Sequence, residues 1–180
     1  MKKGAGFTLI ELLIVVAIIG IIAAIAIPNL MRARVAANEA ATLGDIRTVI
    51  SAEAAYQSAN HGFYDASLSC LTDPKDAACI PSYPTVAPTF LDSQLAALNA
   101  KSGYNRSFVT TGNVTPTVPT ASPTSTASYR YDATPMVIGQ TGVRGFAADS
   151  SGRICFTVDG VPVPAGTPVG SLPGTCSDLR

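Results

Sequence analysis

The sequence predicts an α+β fold in which one long N-terminal α-helix packs on a small antiparallel β-sheet. Three observations carry that prediction. Residues 7–27 form an almost unbroken apolar run. Residues 30–59 contain no proline and a single glycine and are rich in alanine, which favours helix. Residues 104–158 break into short stretches with strand-like alternation, separated by turn residues.

The apolar run accounts for most of the 47% hydrophobic content of the 180-residue chain. As a helix it would rise about 30 Å, which matches the hydrocarbon core of a bilayer. In the second half of the helix, Leu43, Ile46, Ile50 and Ala54 recur at helical spacing. Glu39, Asp45, Arg47 and Glu53 are expected to supply its polar faces. A helix from residue 7 to 59 would be about 80 Å long, so its first half needs cover from lipid or from other chains. Pro28 removes a backbone donor inside that helix and predicts a kink.

The beginning of the chain admits three readings. A secretory signal peptide would be cut after the small residues Ala24 and Ala26, but Glu11 would then lie inside its apolar core. A plain membrane anchor leaves the same carboxylate in lipid at a cost of about 3 kcal/mol, with nothing gained. The third reading gives Glu11 a role. The residues Lys2-Lys3-Gly4-Ala5-Gly6-Phe7-Thr8-Leu9-Ile10-Glu11 precede an apolar helix that carries Gly20 and Pro28. This segment resembles the signal of type IV pilins and type II secretion pseudopilins, over roughly residues 1–60.

That resemblance implies a pilin-like fold and cleavage between Gly6 and Phe7 by a prepilin peptidase, with methylation of the new Phe7 amine. It implies that Glu11 pairs with the Phe7 amine of a neighbouring subunit during assembly. Opposite charges attract far more strongly at low dielectric, which suits a registry device. Gly20 and Pro28 would bracket a segment able to lose helicity when subunits pack. The expected organisation is a leader at 1–6, a transmembrane and assembly helix at 7–30, an amphipathic half at 31–60 and a globular part at 61–180.

Four cysteines, with one histidine and no C-x-x-C spacing, favour two disulfides over a metal site and place the outer part in an oxidising compartment. Three pairings are open; locality favours Cys70 with Cys79 and Cys155 with Cys176. Lys2 and Lys3 on one side of the span are matched by Arg32 and Arg34 on the other, so orientation rests on the leader and the cysteines. Both put the N-terminus in the cytoplasm.

Within the globular part, residues 61–103 read as an irregular connection with a short helix at 93–100. Strands are expected at 104–110, 128–132, 136–138, 143–149 and 153–158, forming a meander on the helix stripe. The stretch 110–128, rich in Thr, Ser and Pro, reads as an exposed mobile or O-glycosylatable loop. Four prolines between 159 and 180 argue against a strand there.

No catalytic constellation is apparent, and His61 reads as a surface or helix-end residue. Asp149-Ser150-Ser151-Gly152 and Asp159-Gly160 read as turns in preference to calcium ligands. Equal numbers of acidic and basic residues give no global field to gather nucleic acid. The leading expectation is a structural, non-enzymatic pilin without cofactor or metal. It would be anchored in the inner membrane as a precursor, handled by peptidase and inner-membrane assembly machinery, and polymerised into a surface filament. The alternatives are a major pseudopilin of type II secretion and an anchored outer-face binding domain that never polymerises.

Overall fold

The computed structural model describes residues 6–76, 78–116, 118–161 and 176–179. Lys2 and Lys3 of the expected leader, and most of the proline-rich stretch after residue 161, lie outside the described residues.

Helix α1 runs unbroken from Leu9 to Ala59, through Pro28. Thr8 caps it: the Thr8 side chain accepts from the Glu11 backbone N–H while the Glu11 carboxylate accepts from the Thr8 N–H, a reciprocal capping box. At the other end Asn60 donates its backbone N–H to the Tyr56 carbonyl, and the next residues turn sharply at His61 (φ 55°) and Gly62 (φ 95°). No residue of α1 before Glu39 is buried.

The remaining elements follow as β1 (Tyr64–Asp65), α2 (Ser69–Thr72), α3 (Ser93–Ala96), β2 (Tyr104–Thr110), β3 (Ser125–Thr126), β4 (Tyr129–Pro135), β5 (Gly145–Asp149), β6 (Ile154–Thr157) and β7 (Ser177–Asp178). Five strands form one antiparallel sheet in the order β2-β4-β5-β6-β7, and β1 pairs with β3 in a separate ribbon. The result is an α+β arrangement of helix on antiparallel sheet, as expected.

The core lies between the second half of α1 and one face of the sheet. Ile46, Val49, Ala52 and Tyr56 pack with Tyr131 and Ala133 of β4 and Phe146 and Ala148 of β5. Tyr131 lies opposite Ala148 and Ala133 opposite Phe146, so the pleat sends all four to the helix side. Each large apolar side chain so buried contributes about 2 kcal/mol. Leu68, Leu71, Leu91 and Leu95 from the connection close the side of this core. Tyr104 belongs to it as well, and only a glycine at 142 fits beside it, because a Cβ there would overlap the Tyr104 ring.

Several expectations need correction. The buried stripe is Thr42, Ile46, Val49, Ala52, Glu53 and Tyr56, with Leu43 and Ile50 half-buried and Ala54 exposed. Glu39 and Glu53 are buried, not solvent-facing, because each has backbone donors to accept from. Residues 136–138 are no strand: the chain turns there, with Gly139 N–H bonded to the Gly142 carbonyl. The helix expected at 93–100 is the single turn α3, which Asp92 caps through the Gln94 N–H. Ser177–Asp178, in a stretch where prolines argued against a strand, pairs with β6 beside the Cys155–Cys176 bond.

The Thr/Ser/Pro stretch 110–128 is not a simple exposed loop either. Its second half is folded under the end of α1, with Ala121, Ser122, Ser125 and Thr126 buried. Asn60 is the reason: its Oδ1 accepts from Ser122 N–H at 2.7 Å, and its Nδ2 donates to Ser125 Oγ at 2.9 Å. Small hydroxyl side chains can be buried here because each finds a partner.

Candidate functional site

The candidate site is the exposed first half of α1 together with the residues that fix its two ends. Gly6 and Phe7 are exposed and precede the helix, with the Gly6–Phe7 bond just ahead of the capping residue Thr8, which is itself extended. Glu11 sits in the first turn. Its Oε2 accepts from Thr8 N–H at 2.8 Å and from Thr8 Oγ1 at 2.6 Å. Among the described residues only this oxygen is engaged, which leaves Oε1 open to a cation.

From Phe7 to Met31 the large apolar side chains are each about half or more exposed. The segment is long and apolar enough to cross a membrane. Gly20 has no atom near the place a Cβ would occupy, so its small size serves no contact inside this chain and is free for close approach by another helix. Pro28 lies within α1 and deprives the preceding turn of one donor.

The second end is fixed by a clamp that sequence reasoning missed. Asn38 Nδ2 donates to the Thr141 carbonyl at 2.9 Å. One residue on, Glu39 takes the Val143 and Arg144 backbone N–H groups on Oε1, at 3.0 and 3.1 Å, and the Arg144 side chain on Oε2. Burial pushes the Glu39 carboxyl upward, but the two amides and the guanidinium outweigh it and hold its pKa below the ordinary 4.5. Arg144 also lies over the Phe146 and Phe156 rings, at 5.6 and 5.4 Å. The sheet is thereby tied to α1 about two turns after the apolar surface ends. Thr8 was missed too, although the Thr-x-x-Glu spacing of a capping box is readable from the sequence.

Elsewhere Cys70 is bonded to Cys79 and Cys155 to Cys176. Asp149 Oδ1 accepts from the Ser151 N–H and hydroxyl, so its side chain stabilises a turn. His61 is exposed and its Nε2 shares a hydrogen bond of 2.9 Å with Thr120 Oγ1. Among the described residues no group of three or more His, Cys, Asp or Glu side chains could hold a metal ion.

Residues 1–27 match the family described as the prokaryotic N-terminal methylation motif. Over 63 residues, 35% of its length, the chain is 44% identical to the type IV wide pilus major component PilA4 of Thermus thermophilus. Over the same share it is 40% identical to the type IV major pilin protein PilA of Myxococcus xanthus. The matched segments cover 48% and 29% of those relatives' own lengths, so the chain aligns with less than half of either. No solved structure matches the chain significantly. The chain therefore carries the prokaryotic N-terminal methylation motif at residues 1–27 and is similar, over about a third of its length, to the major subunits of two type IV pili.

Proposed function

We propose that this chain is a structural subunit of a type IV pilus filament, and that it does its work by packing, not by catalysis. The observation that carries this reading is the apolar helix surface from Phe7 to Met31, which none of the described residues covers. Such a surface is stable only in lipid or against other chains, and a filament subunit needs both in turn. The methylation motif on the same residues, and the similarity to two pilus major subunits, support it.

In this reading a prepilin peptidase on the cytoplasmic face cuts between Gly6 and Phe7 and methylates Phe7, with the N-terminus cytoplasmic and residues after the span outside. Residues 7–30 serve as membrane anchor and then as filament core, 31–60 as the support of the sheet, and 61–180 as the filament's outer surface. Inner-membrane machinery moves the processed subunit from bilayer to filament. The open oxygen of Glu11 receives the Phe7 amine of a neighbour, and Gly20 and Pro28 allow the helix to bend or loosen as it packs.

Glu11→Ala tests this directly. The variant is expected to insert and be processed as the wild type is, yet to give filament yields reduced at least about tenfold, as removal of one well-desolvated ion pair would. Wild-type filament yield from Glu11→Ala, seen by shearing and electron microscopy, would sink the reading.

A further inference from the structure

A second apolar surface lies outside the helix. Met136, Val137 and Ile138 are consecutive, and each is about half exposed. Val143, Val158 and Val161 are exposed as well. These residues come from three separate pieces of chain, yet they lie together. A Cβ on Gly160 would touch Ile138 Cγ1 and the Val143 carbonyl, and Val143, Val158 and Gly139 share one cleft of about 430 Å³ with Met31, Arg32 and Val35 of α1. The exposed halves of three adjacent apolar residues at a turn have no cover among the described residues and indicate contact with something else.

The position of this collar says what it meets. The apolar surface of α1 ends at Met31, and the first cations after it are Arg32 and Arg34. Met31 and Val35 are one turn apart, about 6 Å along the axis, which is the thickness of one headgroup layer. The Asn38–Thr141 and Glu39–Arg144 contacts, about one turn beyond Val35, fasten the loop that carries Met136 to Val143 to the helix, so the collar cannot swing away from it. Apolar side chains flanked by arginines suit the boundary between acyl chains and phosphate headgroups.

We propose that, before assembly, the collar formed by Met136, Val137, Ile138, Val143 and Val158 seats on the outer surface of the phospholipid bilayer and makes a second membrane contact beside the spanning helix. The inference rests on the reading that the first half of α1 spans the membrane. It adds that the globular part docks on the bilayer at a fixed orientation. A collar pressed on lipid also gives the subunit a surface that must be peeled off the bilayer at extraction.

The chain has no tryptophan, so single substitutions report position without background. Full-length Ile138→Trp, Val158→Trp, Ile18→Trp and Val86→Trp chains would be placed in phosphatidylcholine vesicles, with and without lipid brominated near the headgroup end of its acyl chains for positions 138, 158 and 86, and near the methyl end for position 18. Val86 is 93% exposed and serves as the water reference. Emission from positions 18, 138 and 158 is expected to fall by half or more with brominated lipid, while position 86 responds only to aqueous acrylamide. If position 18 is quenched by lipid but 138 and 158 behave like 86, the collar faces water and the proposal fails while the spanning helix stands. If 138 and 158 are shielded from both quenchers, a second copy of the chain covers them, which also overturns it. Loss of lipid quenching at position 18 would instead overturn the spanning reading itself, and the collar with it.

Discussion

Arg144 meets Glu39 across 105 positions of sequence: Nη2 lies 2.6 Å and Nε 2.9 Å from the same carboxylate oxygen. The other oxygen holds the Val143 and Arg144 amides. Glu39 is buried, so this one side chain fastens the loop between β4 and β5 to the helix. Glu39→Ala is expected to cost about 3 kcal/mol, because it strands a guanidinium and two amides at once. Chemical unfolding in detergent, followed by tyrosine near-UV dichroism, reads that loss.

The same carboxylate gives stability a pH dependence. Its folded pKa is below the ordinary 4.5, so its contribution is complete above that value and is lost as pH falls through the folded value. Glu39→Gln should remove that acid-side loss while lowering stability at neutral pH by about 2 kcal/mol. A variant whose unfolding midpoint declines below pH 4.5 as the wild type's does would show that Glu39 is not the group responsible.

Glu53 should behave in the opposite sense. It is fully buried beside Asp65, accepting the Asp65 backbone N–H on Oε2, while Oε1 has no hydrogen-bond partner among the described residues. Burial, joined by the Asp65 charge, raises its pKa well above 4.5. Burial raises Asp65 above its ordinary 3.8 as well. The folded chain thus keeps these protons longer than the unfolded one does. Their contribution is complete at low pH and is lost as pH rises through the raised folded values. Glu53→Gln keeps an acceptor for the Asp65 amide and removes the buried charge that faces Asp65. It is expected to raise stability near neutral pH by about 1 kcal/mol and to flatten the decline.

Asn60 is the hinge between α1 and the folded half of the Thr/Ser/Pro stretch. Asn60→Ala leaves the Ser122 N–H and Ser125 hydroxyl without that partner, at a cost of about 2 kcal/mol. Amide hydrogen exchange at Ser122 should accelerate far more than exchange at Ala147 in the sheet centre. Equal acceleration at both would mean that the stretch and the sheet unfold as one unit.

The elements most legible in the sequence are those set by local pattern. The apolar run, the alanine-rich continuation and the alternation at 104–110 each announce themselves within a few turns or residues, and α1 and β2 follow them closely. Turn residues likewise mark Ser150 to Gly152, where Asp149 closes the loop. What stayed illegible depends on partners far away in sequence. Glu39 and Glu53 look like solvent-facing residues of an amphipathic helix until Arg144 and the Asp65 amide are brought beside them. The burial of Ser122 and Ser125 depends on Asn60, more than 60 residues upstream. The collar at Met136 to Ile138 resembles a short strand because three adjacent apolar residues look alike whether buried in a sheet or turned outward.

Intact mass with N-terminal sequencing reads the fate of the first residues, on which the proposed role of the helix rests, most directly. The chain would be expressed in a host with a prepilin peptidase and in the same host lacking it. The account predicts a mature chain beginning at methylated Phe7 in the first host and the full precursor in the second. A chain that retains residues 1–6 in both hosts would contradict it and favour an anchored, non-polymerising domain.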